Sequence, residues 1–357
     1  MMVATALPDS GAPRVAIVSV NYRTPALAVR CVRSLAAERE ALPGLKVVVV
    51  DGGSGDGSAE QLQRELGQPE FAGWVEVLPL DINGGFGWAN NQAILKLMSE
   101  ADPPEYIHLL NPDCEVEPGA VTALLDVLRD RPRAGAVGSQ LLEPDGSPTG
   151  SAFNFPSLRG EFARGARTGL LDRLLHVPPP AIETATELVQ AEWVTGASVM
   201  FRVEALRQTG LFDDGFFLYH EEVELMWRLR QAGWEIWHEP ASCVKHVGGA
   251  ATGVHSRAVE EAEAPRKPAY WYQSRSLFFA RSRGLRAARA AWLMWLAGHA
   301  IYRARRLARL AESAKPVKKE LSDAVEHGVP RRSLWSRGGA VPLDAPRWVR
   351  PAWMQQR

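Results

Sequence analysis

Tyr106-Ile-His-Leu-Leu-Asn-Pro-Asp-Cys114 decides the fold. An apolar run of strand length ends at Asn111-Pro112-Asp113, because proline has no N–H to give a sheet ladder. The run is apolar on both alternations, the pattern of a strand buried on both faces of a mostly parallel sheet. Ligands of open α/β sheets bind beyond the carboxyl ends of the strands. Asn111 and Asp113 therefore stand where a ligand is expected, an amide and a carboxylate suited to a divalent cation. Taken alone, the tripeptide is also an ordinary turn closing a buried strand.

Upstream, residues 15–20 form a short buried strand that runs into Asn21-Tyr22-Arg23-Thr24-Pro25. Thr24 is a helix N-cap with Pro25 at the first helical position, and 26–39 follows as an amphipathic helix. A second buried strand, 47–50, ends on Asp51 and a glycine-rich run from Gly52 to Ser58. A helix at 59–66 and a strand at 75–80 complete the half. This alternation predicts a parallel sheet with right-handed crossovers. Gly84 to Gly87 then lie between a strand and a helix at 90–99. There, backbone amides and the helix dipole can receive phosphate, or the glycines simply make a tight turn.

Downstream, a helix is expected at 118–129 and a strand at 136–142. The stretch 143–188 reads as an irregular loop rich in Pro, Gly and Arg, of the kind that is functional or mobile. Loop and strand at 193–202, a short helix at 204–209 and a helix at 221–232 stopped by Gly233 come next. Two short strands, 234–238 and 242–246, close the core. Residues 1–13 read as a disordered leader, 14–256 as the main domain, 257–311 as a helical segment and 312–357 as a weakly ordered tail. Helices are expected at 270–283 and 285–311. The second contains a thirteen-residue uncharged span, 290–302, with arginines at both ends. That span is too short to cross a bilayer. It fits either an interfacial helix with Trp292 and Trp295 at headgroup depth or a core-packed helical hairpin.

Composition sets limits. The 357 residues carry 41 basic and 41 acidic side chains, so no general polyanion field exists and a nucleic-acid partner is disfavoured. Cys31, Cys114 and Cys243 stand far apart with no CxxC, which argues against a disulfide framework or a cysteine-rich zinc site and for a reducing cytoplasm. Residues 1–14 lack a charged start followed by an apolar core, so no signal peptide is read.

Several further residues point to chemistry, each beside a plainer reading. Asp51 is either a turn residue or a carboxylate accepting hydrogen bonds from a nucleobase or ribose. No glycine follows the first strand, which disfavours a dinucleotide-binding dehydrogenase. His246 ends another strand, ahead of Gly248-Gly249; oxygen ligands with one imidazole suit magnesium or manganese better than zinc. Glu221-Glu222-Val223-Glu224 starts a helix, where acids favour the macrodipole. Glu224 pairs with Arg228 at i+4. Glu222 shares an apolar stripe with Leu225, Met226 and Leu229, so desolvation would raise its pKa as a general base requires. Glu222 is therefore the expected base, with Glu221 and Glu224 in reserve. Phe216, Phe217 and Tyr219 form either a wall for a sugar ring or core.

Together these residues resemble the family-two inverting glycosyltransferases of GT-A fold, especially bacterial rhamnosyltransferase-like members that build surface polysaccharides. The resemblance covers about 15–255 and the aromatic segment from Tyr270. It rests on five motifs in order, around Asp51, Asn83 to Asn91, Asn111 to Asp113, Phe216 to Glu224, and His246 with its glycines. It implies an α/β three-layer sandwich around a mostly parallel sheet, with a C-terminal helical extension. It implies that Asp51 binds the base and that Asp113, with Asn111 and His246, holds Mg2+ or Mn2+. Asn21, Tyr22, Asn83, Gly84 and Asn91 complete the nucleotide-sugar site, and Trp193, Thr195 and Gly196 mark the acceptor cleft. The implied partners are a nucleoside-diphosphate sugar and a saccharide or polyprenyl-linked acceptor; the basic, tryptophan-bearing helix would bring the cleft to the inner face of the cytoplasmic membrane by peripheral contact. Two departures stand out. Many relatives carry Asp at Glu222, and Asn111 replaces the first carboxylate of the common Asp-X-Asp. A sugar nucleotidyltransferase and a silent nucleotide-sugar-binding module remain as rivals; the former would carry a basic, glycine-rich loop where Asn21 to Pro25 stand.

Overall fold

The computed structural model describes residues 14–182, 186–247, 266–310, 316–336 and 338–355. The expected leader, Gly248-Gly249 and most of the junction at 257–268 lie outside the described residues. The first half follows the expected alternation. β1 (Val15–Asn21) leads to α1 (Pro25–Ser34) and α2 (Ala36–Ala41), β2 (Lys46–Asp51) to α3 (Ser58–Leu66), and β3 (Val75–Pro79) to α4 (Phe86–Met98). β4 (Tyr106–Leu110), β5 (Cys114–Val116), α5 (Ala120–Asp130) and β6 (Ala134–Leu142) follow. α4 begins four residues before the expected start, directly on the glycines.

The stretch expected to be one irregular loop is partly folded. It holds β7 (Ala152–Phe153), α6 (Leu158–Ala166) and α7 (Gly169–Leu174). Then come β8 (Val189–Ala191), β9 (Trp193–Val194), β10 (Ser198–Arg202), α8 (Val203–Thr209) and α9 (Glu221–Gln231). The two short closing strands are one, β11 (Glu235–His246), whose register against β6 shifts between Glu239 and Cys243. Pro240 falls inside that shift, where a missing N–H is tolerated. α10 (Ala269–Leu307) breaks at Gly284 (φ 84°), and α11 (Glu320–His327) and α12 (Arg332–Trp335) follow.

A nine-stranded sheet runs β3-β2-β1-β4-β10-β6-β11-β5, with β8 also on β11. β3, β2, β1 and β4 are mutually parallel, as is β6 with β11, while β10 lies antiparallel between β4 and β6. Helices cover both faces. Ile17, Leu62, Leu124 and Leu128 belong to one core, and Val18, Ile94, Leu206 and Leu229 to the other. β4 feeds both: Tyr106 and Leu110 enter the first, Ile107 and Leu109 the second. That is the two-sided burial its sequence implied.

The C-terminal region departs most from expectation. The two halves of α10 fold back on each other, with Arg275 and Phe279 of the first and Ala288, Ala291 and Trp295 of the second around one small cavity. Trp295 is buried, and the Trp292 indole donates to the Ala324 carbonyl of α11 at 3.2 Å. Trp295 is therefore inside the protein, and Trp292 is half-buried against α11. The described part of the tail expected to be weakly ordered packs on the domain. Leu211 N donates to Val341 O at 2.7 Å, and Val341, Leu343 and Ala345 pack against the second core.

Candidate active site

β1 and β4 both end at a cleft of about 470 Å³. The turn after β4 is fixed by Asn111 N donating to Ala197 O at 2.8 Å, and Asn111, Pro112 and Asp113 all line the cleft. β5 pairs antiparallel with the end of β11, placing Cys114 opposite His246, and Val247 N donates to Asp113 O at 3.1 Å. This pairing brings together residues more than 130 positions apart. Asp113 Oδ1 lies 3.2 Å from His246 Nε2. Two ligands of one magnesium-sized ion, at bonds of about 2.1 Å and a right angle, would be about 3 Å apart. The pair therefore fits a divalent cation. The Cys114 sulfur is also near, but its thiol donates to Ala197 O, and sulfur is a soft ligand that suits magnesium or manganese poorly.

On the opposite wall, Tyr219 (φ 69°) and His220 (φ 67°) take two successive left-handed conformations and then enter α9. Such conformations are costly without glycine and persist only where surroundings enforce them. They deliver Glu221 and Glu222 to the cleft. The Oε2 atoms of both are buried and have no hydrogen-bond partner among the described residues. Burial raises the pKa of each, and the Glu222 charge pushes Glu221 further up. Gly196 faces Glu222 closely: a Cβ there would stand 3.6 Å from Glu222 Cβ.

Of the remaining expected residues, Tyr22, Asn83, Thr195 and Gly196 line the cleft. Others lie behind it. Asp51 is 2% exposed; its Oδ1 accepts from Asn21 Nδ2 at 2.9 Å and Ser54 Oγ at 2.6 Å, and its Oδ2 from Ser54 N at 3.0 Å. Asn21 and Asp51 thus brace the strand ends, and Gly52 takes the cleft surface. The Asn91 amide is buried and holds Phe212 on both sides, donating to O at 2.9 Å and accepting from N at 3.1 Å, so it faces protein rather than the cleft. Gly84 is pressed against the Trp88 ring, and Gly85 lines the cleft in its place. Trp193 stacks on Phe153 with centroids 4.3 Å apart, away from the cleft. Arg228 Nε donates to both oxygens of Glu224, each at 2.9 Å, with Glu224 inside the protein rather than on its surface.

Phe217 and Tyr219 are cleft wall, while Phe216 is core. Sequence reasoning read Thr24 only as a helix cap. The hydroxyl caps nothing; it donates to Asn21 Oδ1 at 3.1 Å, and the residue lines the cleft. Ser54 was missed as the partner of Asp51, though its place three residues on was the signal for such a turn.

A mixed sheet of this order, with its cleft beyond the strand ends, is of GT-A type, and the class it defines is the glycosyltransferases. Residues 15–176 match the family model described as Glycosyl transferase family 2. Two curated relatives, from two strains of Mycobacterium tuberculosis, are each named N-acetylglucosaminyl-diphospho-decaprenol L-rhamnosyltransferase. Both are 32% identical over 231 residues, covering 62% of this chain and 71% of theirs. The chain belongs to glycosyltransferase family 2. Its fold is similar to a mannosyltransferase of Pyrobaculum calidifontis in complex with GDP-Man and Mn2+, with TM-score 0.52 and 16% identity, over 89% of this chain and 79% of that one. It is similar also to GalNAc-T7 with UDP, GalNAc and Mn2+, with TM-score 0.50 and 16% identity, over 90% of this chain and 59% of that one.

Proposed function

We propose that this glycosyltransferase is inverting and metal-dependent, moving rhamnose from a nucleoside-diphosphate donor to a lipid-linked acceptor in surface polysaccharide assembly. The observation that carries the reading is the meeting of two features in one cleft: the Asp113–His246 pair and the buried carboxylates of Glu221 and Glu222, each with an unpartnered Oε2. The sugar and the lipid carrier are taken from the names of the two relatives.

Chemistry follows from the two carboxylates. Like charges this close do not both ionise readily, and the more deeply buried Glu221 retains the proton. Glu222 is then the ionised partner. Its carboxylate takes the proton of an acceptor hydroxyl as that oxygen bonds to the anomeric carbon. The bond from that carbon to the diphosphate breaks on the opposite side, and the leaving group takes the electron pair. Mg2+ or Mn2+ held by Asp113 and His246, with Asn111 beside them, would supply positive charge against the departing diphosphate. Gly85 lines the cleft between strand and helix, but its N–H donates to Asn83 Oδ1, so on this reading it gives the donor a surface without a side chain rather than a free amide.

The same reading places the protein on the inner face of the cytoplasmic membrane, held peripherally. No described helix is long and apolar enough to cross a membrane. A panel of nucleotide sugars with a diphospholipid-linked N-acetylglucosamine acceptor tests the function, with and without manganese and after chelation. Metal-dependent transfer from the rhamnosyl donor, with inverted anomeric configuration in the product, is the expected result. Transfer that persists unchanged in chelator, or product of retained configuration, would overturn it.

A further inference from the structure

The C-terminal segment 338–355 runs behind the cleft and touches both of its donor-side walls without entering it. One end is tied to the segment leading to Phe217: Asp214 N donates to Gly339 O at 3.2 Å, and Gly339 N to Asp214 Oδ1 at 3.1 Å. The other end is tied to α4: Trp88 Nε1 donates to Val349 O at 2.8 Å, and Trp348 N to Gln92 Oε1 at 2.8 Å. Trp353 sits where the two walls meet. Its indole N–H donates to Gly84 O at 3.0 Å, and its ring stands edge-on to Phe217, centroids 4.9 Å apart.

We propose that Trp353 is a positioning residue for donor binding, holding the Asn83–Gly85 loop and the Phe217 wall in one arrangement. The inference rests on the transferase reading above. A peptide unit is planar, so the Gly84 C=O and the Gly85 N–H turn together. Trp353 holds the carbonyl end, while the N–H end donates to Asn83 Oδ1 at 3.1 Å. The orientation of the Asn83 amide, which lines the cleft, is thereby set from behind by the indole. The seam it guards is tight. Phe86 N donates to Phe217 O at 3.2 Å, and Gly85, at φ 91°, has no room for a Cβ against the Phe217 backbone. An indole is a single donor on a large rigid ring, so one side chain fixes a carbonyl and a wall at once.

Trp353→Ala and Trp353→Phe test this at the near end, and Gly338→Ala at the far end. Gly338 has φ 63°, and a Cβ there would overlap Asp214 Oδ1 and Gly215 N, so that variant unseats the segment without touching the cleft. Hydrogen exchange of peptides covering 82–92 and 215–219 is measured beside donor KM, kcat and melting temperature. Trp353→Ala is expected to speed exchange in both peptides and to raise donor KM about tenfold with a smaller change in kcat. Trp353→Phe, which keeps the ring but not the N–H, should fall between it and the wild type. Gly338→Ala should raise KM in the same direction. Unchanged exchange at 82–92, or a lower melting temperature with unchanged KM, would make Trp353 a tail anchor and overturn the proposal. If the wild type transfers no sugar, the functional reading fails separately, and the exchange data alone decide whether Trp353 holds the loop.

Discussion

Glu222 and Glu221 are adjacent in sequence and opposite in consequence. Glu222→Gln keeps the shape of the side chain but cannot accept the acceptor's proton. Transfer should fall roughly 100- to 10,000-fold, while donor affinity in the presence of manganese stays near wild type. Because burial raises the Glu222 pKa, the acid limb of kcat/KM should lie above the ordinary glutamate value of 4.5. Glu221 is read better through stability. Its pKa is raised well above 4.5, so between those values the folded protein keeps a proton that the unfolded chain has lost. Stability therefore falls as pH rises through that window. Glu221→Gln removes this loss, so the melting temperature of the variant relative to wild type should be higher at pH 8 than at pH 5. An equal difference at both pH values would mean that Glu221 titrates normally. Asn91 shows the limit of reading at this scale. Its place in a glycine–asparagine motif pointed to the ligand, but one letter cannot say whether an amide turns towards the cleft or towards a buried Phe212 peptide.

Whole elements were legible where their pattern is local. β1, β2 and β4 follow from buried runs ending in Asn, Asp or Pro, and α9 from its acidic start and Gly233 stop. The pairing of β5 with β11 was not legible, because it depends on an irregular register past Pro240, yet it is what sets His246 beside Asp113. α6 was missed because Gly160 and Gly165 lower its helix propensity. Tertiary packing overrides that. A Cβ on Gly165 would lie 2.8 Å from His299 N, and one on Gly298 would lie 2.8 Å from Ala166 N, so α6 and α10 cross backbone to backbone. Gly298→Ala sets two effects against each other. Alanine should stabilise a helix interior by about 1 kcal/mol, but forcing these backbones apart costs about 1–3 kcal/mol. The melting temperature should fall, and a rise would show that the crossing is looser than these contacts imply.

At the scale of the molecule, the GT-A class was readable from the order of the motifs, whereas the packing of the tail was not, because its partners lie far away in sequence. The uncharged span of α10 shows how one helix can turn one face to protein and another outward. Wound into a helix, 290–302 turns Trp295, Gly298 and Tyr302 inward against protein, while Leu293 (57% exposed), Ala297, Ala300 and Ile301 form an outward stripe. The stripe continues through Ala304 to Leu307 (86% exposed), with Arg286 and Arg289 before it and Arg303, Arg306 and Arg309 at its far end. An apolar stripe with basic ends is the arrangement that lies flat on an anionic bilayer, its aliphatic groups in the acyl boundary and its arginines among headgroups. The first half of α10 brings Tyr270 to the cleft wall, so a bilayer contact on the second half would set the cleft near the surface that a lipid-linked acceptor occupies. Vesicles containing about one-third anionic lipid should sediment the protein, neutral vesicles should do so less, and raised salt should weaken the binding. Replacing Leu293 and Ile301 together with Asp should reduce sedimentation about tenfold or more while leaving transfer to a short-chain, water-soluble acceptor unchanged. Equal recovery of variant and wild type on anionic vesicles would remove the stripe from the membrane and leave α10 with packing as its whole role.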